Sequence, residues 1–220
     1  MEQINKDALF SAPDRRMESI RKWLRILLAV HIVMLSFSAL RNVISFGKLY
    51  NWINAALDVA VIFCLLQLRR ENRLYKLAAG LMIADLVIGS IRSDYVAYYL
   101  RFLFSGHYEL TLAVFRIISY IPLACSLGAL AAEYMAHRRV IQTHDPKIGK
   151  YWLYLMIAGL AVSALASIIG SILASLIENG TLSIMIYQNY IFPLLRLPGT
   201  VISVLYMICL YKTERKLAKR

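Results

Sequence analysis

Five ionisable side chains lie in stretches that are otherwise apolar: His31, Asp58, Asp85, Arg116 and Arg196. In "IFPLLRLPGT" (191–200) the arginine stands between two prolines. If these stretches cross a membrane, a charge at mid-bilayer costs at least ~2.5 kcal/mol, so such residues turn inward and meet a partner, an ion or a solute. Pro198 has no amide hydrogen and frees the carbonyl of Leu194, while Pro193 disrupts the first turn, so the segment is expected to bend or loosen beside Arg196. Irregular backbone at membrane depth survives only where protein or water covers it. Arg196 is therefore expected to face a polar cavity and to meet Asp58, Asp85 or an anionic ligand. Two acids and two arginines also permit full internal neutralisation, so structural ion pairs and a ligand or ion site are both open readings.

Helical spacing gathers other polar residues around these five. Asn51, Asn54 and Asp58 share one helical face, as do Asp85, Gly89 and Arg92. His31 pairs with Ser38, and Arg116 with Ser119 and Tyr120. Asn189, Arg196, Thr200 and Ser203 form a further stripe. The simplest packing turns these stripes toward a shared polar cavity, with His31, Asn54, Asp58, Asp85, Arg116 and Arg196 as candidate ligand or ion contacts.

Enzymatic readings find little support. No His-x-x-Glu-His or Gly-x-Ser-x-Gly pattern occurs, and no acidic cluster has metal-ligand spacing. Glu133 and His137, four residues apart, read as a surface ion pair rather than a metal site. Cys64, Cys125 and Cys209 are scattered without paired spacing. No cofactor, metal or catalytic residue is expected, although a membrane enzyme whose site the spacing hides, with His31 beside Asp85, is a third reading.

The elements that must carry these residues follow from composition. Hydrophobic residues make up 60% of the 220-residue chain and charged ones 17%, against about 25% charged in soluble domains. The apolar residues fall in six blocks, 24–42, 50–68, 76–92, 110–136, 151–176 and 189–211, each near the roughly 20 residues that cross a bilayer as a helix. The expected fold is all-α: a single polytopic transmembrane domain of six helices in three hairpins. Residues 11–14, "SAPD", should cap a helix on the membrane surface that leads into the first span, with 1–10 loose.

Charge placement supplies the orientation. Nineteen of the 25 Lys and Arg lie in the N-terminal segment, the 69–76 and 138–150 loops and the C-terminal tail 212–220. This asymmetry puts both termini in the cytoplasm of a plasma or inner membrane, and the basic loops suit anionic lipid headgroups rather than nucleic acid. Trp23, Trp52 and Trp152 are expected at membrane interfaces. The aromatic segment 93–109 suits an interfacial helix on the outer side.

The fifth block differs in kind. Ser163, Ser167, Ser171 and Ser175 recur every fourth residue beside Ala166, Gly170 and Ala174. Small-residue ladders let helices approach closely in lipid, so this face is expected to be covered by a helix of the same chain, by a membrane-protein partner or by a second copy. Two function classes lead: a small-solute or ion transporter, or its substrate-binding membrane subunit, with the cavity open to the outer side; and a non-transporting subunit or assembly factor docking through the serine ladder.

Overall fold

The computed structural model describes residues 6–40, 48–91 and 108–218. Among them there is no strand. Six helices carry the structure: α1 (Lys6–Leu40), α2 (Lys48–Leu68), α3 (Arg73–Ile91), α4 (Tyr108–Gln142), α5 (Pro146–Glu178) and α6 (Phe192–Leu217). α1, α2, α5 and α6 each contain a segment long and apolar enough to cross a membrane: Met17–Leu40, Leu49–Leu68, Pro146–Ile177 and Phe192–Leu217. The protein is all-helical, with the composition of a membrane-embedded chain. α3 is shorter and carries Arg73, Lys76 and Asp85 within 19 residues.

The helices pack as a ring in chain order. α1 lies against α2, α2 against α3, α3 against α4, α4 against α5 and α5 against α6, and α6 closes on α1. The most extensive packing is that of α3 and α5 on α4. The α2–α3 and α4–α5 connections occupy only residues 69–72 and 143–145. Asp145 starts α5 by accepting the amides of Lys147 and Ile148, with Pro146 at the first helical position, where its missing N–H costs nothing.

The tightly buried residues gather toward one end of the ring, the end that carries these short connections. Leu24, Leu27, Leu65, Leu68, Tyr75, Ala78, Ile141, Trp152, Leu210 and Leu217 form its core. They come from the middle of α1, the first halves of α3 and α5 and the second halves of α2, α4 and α6. Toward the opposite end, no residue between 160 and 177 of α5 is buried.

Three expectations are corrected. α1 begins at Lys6, so "SAPD" lies inside the helix rather than capping its start; Pro13 forfeits one backbone bond without ending it. Trp152 is not an interfacial anchor but fully buried, because α5 turns this side chain onto α4 and α6. The irregular backbone near Arg196 is one turn earlier than expected. Tyr187–Ile191 form a π-helical turn, and α6 then runs unbroken through Pro198, with Pro193 near its start, where no amide partner is needed. Residues 92–107, including Arg92, Arg101 and most of the aromatic segment, lie outside the described residues, as does Arg41.

Candidate functional site

Two adjoining cavities lined by described residues open inside the ring. The first, of about 430 Å³, lies between α1, α2 and α6 and is lined by His31, Ser38, Asn54, Asp58, Arg196 and Ser203, among others. The second, of about 290 Å³, reaches further toward the core, where His31, Asp58, Asp85, Ser126, Glu133 and Tyr206 line it. His31, Asp58 and Ser203 belong to both linings, so the two spaces adjoin along one polar seam. Four of the residues singled out by sequence, His31, Asn54, Asp58 and Arg196, thus meet at one cavity, and Asp85 at its neighbour. Arg116 is on α4, with its side chain outside the described set.

The charges in the outer cavity do not neutralise one another. The ion pairs among the described residues join Arg21 and Arg25 to Glu214, His137 to Glu133 and Lys216 to Asp145. None joins Arg196 to Asp58 or Asp85. The Arg196 guanidinium instead stacks over Phe192, 4.2 Å from the ring centroid, a contact that supports a cation without cancelling its charge. Hydroxyls nearby are satisfied by their own helix: Thr200 donates to the Arg196 carbonyl at 3.1 Å and Ser203 to that of Gly199 at 3.0 Å. Each retains lone pairs for another donor.

His31 marks the seam between the cavities. Its Nδ1 lies 2.9 Å from the Leu27 carbonyl; a carbonyl only accepts, so Nδ1 carries a hydrogen. The ring packs on Tyr206 with centroids 4.6 Å apart.

Beneath the inner cavity lies a polar cluster that sequence reasoning misread. Glu133 and His137 are 8% and 0% exposed, a buried pair and not a surface one. Tyr206 donates to Glu133. Its oxygen then accepts from His137 Nε2 at 3.3 Å, which also lies 3.5 Å from the Glu133 carboxylate. His137 Nδ1 lies 2.9 Å from the Tyr75 hydroxyl and shares a hydrogen bond with it. Trp152 stacks on His137 at 4.6 Å and donates its indole N–H to Thr213 at 2.9 Å. The Tyr75, Tyr206 and Trp152 edges, both His137 ring nitrogens and Glu133 Oε1 each have a partner, as burial demands. The signal that could have found it was that α3, α5 and α6 each place an aromatic residue with a hydrogen-bonding edge at the same depth.

At the rim of the core, α6 runs beyond the expected span end, and Glu214 is 6% exposed. Arg25 Nε donates to it at 2.7 Å and Arg21 Nη2 at 3.4 Å. Arg21 Nε, also 3.4 Å away, is out of line for a hydrogen bond and is held by charge alone. This clamp ties the first helix to the last.

Among the described residues, none covers the serine ladder of α5. Ser171 and Ser175 are exposed, Ser163 and Ser167 are half-buried, and a side chain at Gly170 would meet open space. Ser167 and Ser171 donate to the carbonyls one turn back, both at 2.9 Å, which lets these hydroxyls face an apolar medium. No group of His, Cys, Asp or Glu among the described residues has the geometry to hold a metal ion. Comparison with protein-family models, curated proteins and solved structures finds no match for this chain.

Proposed function

We propose that this protein is a six-span membrane protein, with both termini cytoplasmic, whose outer cavity binds a small charged solute for transport or for delivery to a transport partner. One observation carries the reading: Arg196 and Asp58 line the same 430 Å³ space and do not pair. An arginine inside a membrane without a carboxylate partner is costly unless something else supplies the negative charge, and the volume falls in the range of small-molecule sites. The sequential ring and the clustering of basic residues at the end with the short connections support the orientation, with the cavity toward the outer side.

The test is thermal unfolding of the detergent-purified protein against a panel of inorganic phosphate, simple carboxylates and amino acids. A member present at 100 times its Kd stabilises the native state by about 2.7 kcal/mol. Arg196→Gln should abolish the shift while the variant still folds, and Asp58→Asn should change which panel members bind. If Arg196→Gln and Asp58→Asn each destabilise strongly and the double variant recovers, the two charges act as a structural pair and the solute reading is wrong.

The ladder of α5, which no described residue covers, favours a second reading, a subunit that docks a partner helix. It expects Gly170→Leu to abolish co-purification of a partner, or self-association in mild detergent, without changing monomer stability.

A further inference from the structure

The two cavities are built along one face of α6. Arg196 and Thr200 line the outer cavity, Ser203 lines both and Tyr206 lines the inner one, positions that recur at helical spacing. From Arg196 to Ser203 the helix rises about 10 Å. The guanidinium leans further toward the helix start, where it stacks on Phe192. Charge sorts along this face. Among the described lining residues the outer end has the guanidinium, whereas the inner cavity has the carboxylates of Asp58, Asp85 and Glu133 and no Lys or Arg. Glu133 is served by Tyr206 and His137. Asp58 and Asp85 enter no ion pair among the described residues. Inside a membrane, two carboxylates facing one small space call for a cation as Arg196 calls for an anion. A metal ion does not answer, since no group of His, Cys, Asp or Glu among the described residues has the geometry to hold one. An ammonium is less demanding: it has three donors, and the hydroxyls of Ser126 and Ser203 stand in the same wall as the aspartates.

We propose that the two cavities form one bipolar site for an extended amino acid, its carboxylate at Arg196 and a distal ammonium between Asp58 and Asp85. This rests on the solute-site reading and narrows it to a class of solute. Length does the selecting. An extended chain gains about 1.2 Å per bond. The six bonds between the carboxyl carbon and the terminal nitrogen of ε-aminocaproate, or of lysine, therefore reach ~7 Å. A hydrogen bond of about 2.9 Å at each end then carries the molecule across the roughly 10 Å between Arg196 and the seam. Glycine holds its two charges only ~2.5 Å apart and satisfies one end at a time. Met34 in the outer lining and Met82 and Leu130 in the inner one offer apolar surface to the methylenes between the charges. The chemistry recognised is thus a carboxylate and an ammonium held six bonds apart, which a single-amine acid and a diamino acid share.

Isothermal titration calorimetry of the full-length, detergent-purified protein tests this with probes that differ in length and in which end they carry. Glycine, γ-aminobutyrate, ε-aminocaproate and ω-aminooctanoate vary the length; hexanoate lacks the ammonium, cadaverine lacks the carboxylate, and L-lysine carries both ends. Affinity should peak at ε-aminocaproate, with lysine also bound. Hexanoate and cadaverine should each be weaker by roughly tenfold or more, the worth of a hydrogen bond to a charged group. Asp85→Asn should weaken ε-aminocaproate by roughly tenfold and leave hexanoate unchanged; the length series needs no variant and decides the matter if Asp85→Asn does not assemble. Affinity that is flat with chain length, or hexanoate bound as tightly as ε-aminocaproate, overturns the bipolar site. If Arg196→Gln abolishes that binding, the solute-site reading stands without it. Full affinity for ε-aminocaproate in Asp85→Asn also overturns the bipolar site, since protons and not an ammonium would then neutralise the aspartates. Silence of every probe overturns it as well. The solute-site reading falls separately, when the Arg196→Gln, Asp58→Asn double variant recovers the stability that each single one loses.

Discussion

Thr213→Val is the sharpest test of how the polar cluster is held. Trp152 and Thr213 are both 0% exposed and joined by a 2.9 Å bond from the indole N–H. Valine keeps the volume of threonine, so no cavity opens and the packing cost is small. The Thr213 hydroxyl also donates to the Cys209 carbonyl at 2.8 Å, but that carbonyl lies one turn back and keeps its helical amide partner. The variant therefore orphans a single buried donor, the Trp152 N–H, at a cost of roughly 1–3 kcal/mol. Trp152→Phe also strands little on the threonine side, since its hydrogen still has Cys209, but it removes ring volume beside His137 and adds a cavity term. In the double variant no donor is orphaned, so its destabilisation should fall short of the summed singles by about 1–2 kcal/mol. Equilibrium unfolding in mixed micelles by added SDS, followed by far-UV circular dichroism, measures all four proteins. A Thr213→Val variant within ~0.5 kcal/mol of wild type, or additive singles, would refute the claim that the site is dry and the bond is needed.

Glu214→Gln should destabilise by about 1–2 kcal/mol, less than the 3–5 of a fully buried pair, because Arg25 is 61% exposed; the same unfolding assay at two salt concentrations should show the difference shrink with salt. Gly159→Ala should stabilise α5 by ~0.5–1 kcal/mol: an added methyl would meet Leu130 and Ile202 at 3.5 and 3.6 Å, ordinary contact. Gly128→Ala should gain less, since its methyl would come within 3.0 Å of the Leu81 side chain. Asp145 is held below the usual carboxylate range by the Lys216 hydrogen bond first and by the Ile148 amide next. Its ionised form is thus preferred in the folded state, and its stabilising contribution should be complete above about pH 4. That contribution should be lost as pH falls through the lower folded value, and an acid titration of thermal stability should lose this slope in Asp145→Asn.

Much of the outer cavity was legible in the sequence because its signal is one of exception. An arginine or aspartate in an apolar run stands out, and helical periodicity then says which neighbours share its face, so His31, Asn54, Asp58 and Arg196 could be grouped without knowing which helices touch. What spacing does not contain is the distance across helices. It could not distinguish an Arg196–Asp58 pair from an Arg196 stacked on Phe192, because both place the arginine on the same face. The π turn at Tyr187–Ile191 was equally hidden: proline marks where an amide is missing, whereas a π turn adds a residue to the turn and leaves no residue type as its mark.

The buried cluster failed to show for a different reason, and the failure is informative about the molecule. Glu133 and His137 lie near the end of an apolar block, where a charged pair one turn apart usually faces water. Burial there depends on what three other helices bring to the same depth: Tyr75 from α3, Trp152 from α5 and Tyr206 from α6. Aromatic residues at a span end read as interfacial anchors, since their rings favour that level of the membrane. Here the same property, an apolar body with a hydrogen-bonding edge, is turned inward to solvate a carboxylate and an imidazole. The sequence signal for a membrane-interface belt and for a buried polar core is therefore the same, and only closure of the ring decides between them. Across that closure Arg21 and Arg25 of α1 reach Glu214 of α6, residues 189 or more apart along the chain. Loosening the clamp should then expose His137 as well as weaken the fold, so Glu214→Ala is expected to speed hydrogen exchange at the amides of residues 133–137 more than at those of α5 beyond residue 160. Equal acceleration in both regions would mean that the clamp stabilises the chain globally and does not itself seal the cluster.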